Sequence, residues 1–109
     1  MATKKLKLCL VVPCYNEESR FNSKYFTELL EAGIELCFVN DGSTDKTKQI
    51  LQDFCLKMKC SVIDLPSNSG KAEAVRVGIL DSYNQNRFLW VGYLDADGSF
   101  AQDEIIKMT

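Results

Sequence analysis

Phe88-Leu89-Trp90-Val91-Gly92-Tyr93-Leu94, followed by Asp95-Ala96-Asp97-Gly98, is the stretch that decides the fold. The apolar run has the length of a strand and reads as one buried on both faces, as in a parallel sheet covered by helices. It stops at two carboxylates spaced i, i+2. A strand that delivers two acids to its C-terminal end builds a site for a hard cation such as Mg²⁺ or Mn²⁺. Such cations commonly hold a diphosphate. The plainer reading of the same residues is an Asp-Gly turn whose acids are solvated or cap the next helix.

Outward from this stretch, strands and helices alternate. Residues 6–12 read as the first strand. Asn22 or Ser23 can cap a helix on which Tyr25, Phe26, Leu29 and Leu30 share a face, and Gly33 ends it. Residues 34–39 form the second strand. Ser43 or Thr44 caps a second helix, with Asp45 in its first turn and an apolar stripe of Ile50, Leu51, Phe54, Cys55 and Met58. Residues 61–65 are the third strand, and a loop around Pro66-Ser67-Asn68 leads to a helix over residues 71–82. After the fourth strand, residues 88–94, a helix begins at Gln102 and runs to Met108. The pattern predicts an α/β fold, a Rossmann-like open parallel sheet with right-handed crossovers and helices on both faces.

Ligands of such sheets bind beyond the carboxyl ends of the strands. All four strands run there into polar loops: Pro13-Cys14-Tyr15-Asn16-Glu17-Glu18, Asn40-Asp41-Gly42-Ser43-Thr44-Asp45, Asn68-Ser69-Gly70-Lys71 and Asp95-Ala96-Asp97. Their convergence on one edge carries more weight than any single motif. The chain stops soon after the acid pair, with a helix barely begun. The expectation is a truncated sheet, part of a longer protein, with a bare edge that favours self-association of the fragment.

Composition narrows the function. With 109 residues and net charge −2, the chain is one domain at most and shows no basic stripe for nucleic acid. Hydrophobic residues make up 46%, enough for a packed core. There are no histidines, so His-based triads and His metal ligands are excluded, and a metal would sit on carboxylates, waters and a ligand's phosphates. The five cysteines contain no CxxC pair and read as reduced, mostly buried thiols of a reducing, cytoplasmic compartment. No apolar run approaches the ~18 residues of a membrane span.

The loops carry readable chemistry. Asp41 can accept the ring N–H of a uracil or guanine base, and Gly42 would let the backbone come close to the ligand. The alternative there is a strand-to-helix turn capped by Ser43. Gly70 permits a tight turn and exposes N–H groups at a helix N-terminus, and Lys71 adds a point charge suited to phosphate. The loop is not a Walker A motif, and no GxGxxG follows the first strand. Gly78, in mid-helix, points to close helix–sheet packing. Arg76 reads as a solvated or salt-bridged side chain.

These four motifs, in order and at suitable spacing from about Leu6 onward, resemble the nucleotide-binding half of a family 2 glycosyltransferase with the GT-A fold. Gly70-Lys71 through Gly78 is similar to polyprenyl-phosphate sugar transferases. The resemblance implies that residues 13–17, including Pro13 and Tyr15, line base and ribose, with Glu17 on the nucleoside. It places Asp41 on the base, and Gly70 and Lys71 at the diphosphate. Asp95 would contact ribose or metal, and Asp97 the divalent metal, Mg²⁺ or Mn²⁺. The implied partners are a nucleotide-diphosphate sugar (a UDP- or GDP-sugar) and a sugar, protein or polyprenyl-phosphate acceptor. The setting is cytoplasmic, at the cytoplasmic face of a membrane for the full-length protein. Asn40 departs from the family, where an aspartate is usual. The acceptor half and its catalytic base would lie beyond Thr109, so the fragment is expected to bind nucleotide without transferring sugar.

Three other readings compete. Asp95-Ala96-Asp97-Gly98-Ser99 also fits the nucleophile motif of a haloacid-dehalogenase-type phosphohydrolase, but that motif normally opens its domain. A noncatalytic nucleotide-binding module would share the loops. A nucleotide-sugar pyrophosphorylase would need a Gly-rich basic loop after the first strand. An EF-hand fails, because Ile106 stands where its last ligand should be.

Overall fold

The computed structural model describes residues 6–107. Four strands and four helices alternate: β1 (Leu6–Cys14), α1 (Ser23–Glu31), β2 (Glu35–Asp41), α2 (Thr47–Met58), β3 (Ser61–Leu65), α3 (Lys71–Asn84), β4 (Phe88–Tyr93) and α4 (Gln102–Lys107). The strands form one parallel sheet in the order β3-β2-β1-β4, with Val12 opposite Phe38 and Val11 opposite Tyr93. The chain winds outward from β1 to β3, then crosses back over the sheet to β4. That reversal puts the topological switch point between β1 and β4, where open α/β sheets bind ligands.

Alternation along the strands sends side chains to two cores. On one face Leu10, Val12, Leu36 and Phe38 meet Phe26 and Leu29 of α1, Leu51 and Phe54 of α2 and Ile105 of α4. Phe38 stands at its centre, edge-on to Phe26 at 5.0 Å and to Phe54 at 5.8 Å. On the other face Cys9, Val11, Cys37 and Val39 pack against Ala74 of α3. Gly78 sits over this face as expected: a Cβ there would lie 2.4 Å from Val11 Cγ1.

Several elements differ from the sequence reading. β4 is not buried on both faces. It is an edge strand, and Leu89, Trp90 and Tyr93 are 59%, 69% and 54% exposed. Its apolar run carries the strand signal, but burial needs a neighbour, and only β1 supplies one among the described residues. Helix α2 starts at Thr47, not after Ser43 or Thr44, and Asp45 precedes it rather than lying in its first turn. The polar residues of that turn are engaged elsewhere, as described below. Helix α3 runs past Ser82 to Asn84. Asn22 caps α1 as read, accepting from Tyr25 N at 3.1 Å, and Gly33 follows it at φ +90°. Met108, where the last helix was expected to reach, lies outside the described residues. Among those residues no helix is long and apolar enough to cross a membrane.

Candidate functional site

The C-terminal ends of the strands surround an open cavity of about 640 Å³. Its lining includes Pro13, Tyr15 and Glu17 from the β1 loop, Asp41 from β2, Gly70 and Lys71 from the start of α3, and Asp95 and Asp97 after β4. Every site residue expected from the sequence is therefore present in one place. Cys14, Arg20, Asn68 and Ala96 complete the lining.

The β1 and β2 loops are laced together. Asn16 N–H donates to Ser43 Oγ at 3.0 Å, and Asn16 Oδ1 accepts from Thr44 N at 2.9 Å. Glu17 N–H donates to Thr47 Oγ1 at 2.8 Å, and Glu18 accepts from Lys46 N at 2.9 Å. Asp45 takes both sides: its carboxylate accepts from Glu18 N at 3.2 Å and from Thr47 N at 2.9 Å. Ser43 and Thr44 are thus committed to the neighbouring loop, while Asp45 ties that loop to Thr47, where α2 starts. Asn16 adopts φ +52°, a left-handed conformation that Asn tolerates better than most residues. Phe21 anchors the far end of the β1 loop by stacking on Phe26 at 5.4 Å.

Asp41 builds the next wall. It is 3% exposed, and its carboxylate accepts from Ser69 N at 2.7 Å, Gly70 N at 3.0 Å and Asn68 Nδ2 at 3.3 Å. The sequence reading offered the N–H groups at Gly70 to a ligand anion, but those of Ser69 and Gly70 already serve Asp41. Gly42 also departs from its expected role. Its Cβ position lies 2.3 Å from Asn68 N, so its close approach is to the β3–α3 loop rather than to a ligand. Asn40 is buried and donates to Asp64 Oδ1 at 3.0 Å, a bond an ionised aspartate in its place could not make.

The fourth wall is looser. Lys71 Nζ pairs with Asp95 Oδ1 and lies 5.4 Å from the centre of the Tyr93 ring. Both partners are about half exposed, with side chains 57% and 46% accessible. The Asp95 carboxylate raises the Lys71 pKa above its ordinary value. Asp97 Oδ1 accepts from Ser99 N at 2.9 Å, and that bond holds the carboxyl below the usual range. Tyr25 of α1 secures the segment from behind: its hydroxyl donates to Phe100 O, and its ring lies under Gly98. Arg76 is salt-bridged to Glu73, away from the cavity, in agreement with the sequence reading.

Asp95 and Asp97 offer carboxylate oxygens only, a donor set suited to a hard divalent cation. No group of three or more metal-binding side chains occurs among the described residues, so such an ion would need ligand phosphates and water. Cys14 does not contribute a thiolate, since burial pushes its thiol up. Sequence reasoning missed Thr47 and Arg20. Arg20 donates to Glu17 Oε2 at 3.0 Å, and the i, i+3 charge pair was visible, but in a loop that spacing guarantees no contact.

The sequence matches the family described as Glycosyl transferase family 2 over residues 9–109. The chain belongs to that family. It is 36% identical over 107 residues to a dolichyl-phosphate β-glucosyltransferase of Drosophila melanogaster, covering 86% of this chain and 32% of that protein. The structure of residues 1–349 of S. aureus TarS in complex with UDP superposes with TM-score 0.59 at 32% identity, over 84% of this chain and 27% of that one. A mannosyltransferase of Pyrobaculum calidifontis, solved with GDP-Man and Mn²⁺, matches with TM-score 0.60 at 20% identity, over 72% of this chain and 25% of that one, a likeness of fold. The sheet and its helices thus match part of the GT-A fold. The chain spans about a third of the length of such relatives. This family assignment displaces the phosphohydrolase reading of Asp95 and Asp97.

Proposed function

We propose that this chain is the nucleotide-sugar-binding part of a metal-dependent glycosyltransferase that uses a UDP- or GDP-sugar. One observation carries the reading: a single cavity at the switch point gathers the expected residues from all four strand ends. Tyr15, Pro13 and Glu17 would line base and ribose, and the buried Asp41 would present its remaining acceptor capacity to a base N–H. Lys71 would turn from Asp95 to the diphosphate, adding positive potential as the leaving group gains charge. Asp95 and Asp97 would hold Mg²⁺ or Mn²⁺, which when bound supplies charge stabilisation to the departing diphosphate.

In the full reaction an acceptor oxygen bonds to the anomeric carbon and loses its proton, while the bond from that carbon to the diphosphate oxygen breaks. The catalytic base is assigned to residues outside this chain. The chain alone is therefore expected to bind nucleotide and to transfer no sugar. Sugar, protein or polyprenyl-phosphate acceptors are all compatible; similarity to dolichyl-phosphate glucosyltransferases supports the last. A lipid-borne acceptor would place the full-length protein at the cytoplasmic face of a membrane.

Calorimetry with UDP, GDP and ADP, each with Mn²⁺ or with EDTA, tests this reading. UDP or GDP should bind best, and only with metal. Equal binding in EDTA would remove the metal role, and ADP binding tightest would remove base reading by Asp41. Asp97→Asn should abolish the metal-dependent part and leave the apo melting temperature essentially unchanged, as for other exposed positions.

A further inference from the structure

Cys55 and Cys60 lie at the opposite end of the sheet from the cavity and have no part in it. Cys55 is in the last turn of α2 and 5% exposed; Cys60 is partly buried just before β3. Between them Lys59 turns left-handed at φ +61°, and Cys60 N–H donates to Cys55 O at 3.1 Å. This turn pins the two backbones to each other and brings the sulfurs to 3.0 Å. A disulfide bond is about 2.05 Å long, so closure needs a movement of roughly one ångström.

We propose that Cys55 and Cys60 form a reversible dithiol–disulfide pair that responds to hydroperoxides. Cys60 is the attacking thiol. It is the more accessible of the two, being partly exposed where Cys55 is buried. Its thiolate attacks the peroxide, the O–O bond breaks, and the products are Cys60 sulfenic acid and, after protonation, an alcohol or water. The Cys55 sulfur then attacks the Cys60 sulfur, losing its proton, and the sulfenic oxygen leaves with that proton as water. Two thiol hydrogens and two electrons pass to the peroxide. The remaining thiols, Cys9, Cys14 and Cys37, are each no more than 2% exposed within β1 and β2 and should not react. The bond ties the end of α2 to the start of β3.

The test is to treat the folded chain with stoichiometric hydrogen peroxide, remove the peroxide, unfold the chain in denaturant while alkylating the free thiols, digest without reduction and map the peptides by mass spectrometry. The monomer should lose two of its five alkylatable thiols, yield one cross-linked peptide joining Cys55 to Cys60, and recover both thiols in dithiothreitol. Cys60→Ser, at the more accessible position, should keep every remaining thiol alkylatable, while Cys9→Ala should oxidise as the native chain does. Full alkylation of the native chain after treatment would overturn the proposal. So would sulfinic acid at Cys60 beside a free Cys55, or cross-links formed only between chains.

Discussion

The loops after β1, β2 and β3 line the same cavity as the segment after β4, yet they are held by different forces. The first three are fastened to one another through buried groups: Thr47 Oγ1 on Glu17 N, Asp41 on Ser69 N and Gly70 N, and Gly42 pressed against the Ser67–Asn68 backbone. The fourth presents Asp95 and Asp97 to solvent, with an exposed ion pair to Lys71 on one side and Tyr25 behind. Buried hydrogen bonds are costly to break because the partner left behind is desolvated, whereas exposed ion pairs contribute little. The difference separates a preformed side of the cavity from an adjustable one; in the function proposed above these would hold the nucleoside and the phosphates. Substitutions on the first should cost stability as well as binding. Those on the second should cost binding alone.

The strongest way to break this contrast is Gly42→Val. A side chain there would meet backbone atoms at 2.3 Å from a residue at φ +65°, so the loss should reach about 3 kcal/mol or more, read by chemical denaturation. A stable variant would show that the second and third loops are not tightly joined. Next, Asp41→Asn replaces a double-sided acceptor with a group that can accept on one side only. It should cost about 1–3 kcal/mol and also abolish nucleotide binding, whereas Asp97→Asn should spare the fold. Thr47→Val removes the acceptor of Glu17 N–H and the donor to Asp45 at similar side-chain volume. A loss of about 1–2 kcal/mol, with weaker nucleotide binding, is expected from melting and calorimetry.

On the other side, Lys71→Met frees Asp95. Titration with Mn²⁺ alone should then tighten modestly, as the loss of a solvent-screened ion pair allows, while UDP binding weakens. Unchanged Mn²⁺ affinity would detach Lys71 from the acid pair. The smallest effect is in pH. The Asp97 carboxyl lies below its ordinary 3.8, so its contribution is present above that value and lost as pH falls through the lower folded one. Lys71 lies above its ordinary 10.5, so its contribution is present below that value and lost as pH rises beyond it. Neither gives a slope between about pH 5 and 9, and a melting series across that range should be flat from this side of the cavity.

Self-association sharpens the contrast at the sheet's edge. β4 carries exposed Leu89, Trp90 and Tyr93 and has no second strand neighbour among the described residues. Light scattering should detect dimers or larger species at high concentration, reduced by Trp90→Lys.

The order of elements, the parallel sheet and the gathering of the eight candidate site residues around one cavity were legible in the sequence. Apolar periodicity and the polar loops at strand ends are local signals, and in a right-handed α/β winding they suffice to bring those loops to one edge. The sequence also marked Gly78 for helix packing and Asn22 as a cap, since both depend on neighbours a few residues away or on a flat sheet beneath. Only the tertiary structure decided what each loop residue touches. Ser43 and Asp45 carry every sign of a helix start but bond to the β1 loop, and Asp41 spends much of its acceptor capacity on residues 68–70. Whether an apolar strand is buried or sits at an edge is also decided by the tertiary structure: β4 reads as buried on both faces and instead stands at the edge. Such choices depend on which backbone groups arrive from distant parts of the chain, and hydrogen bonds and burial between them leave no periodic trace in the sequence.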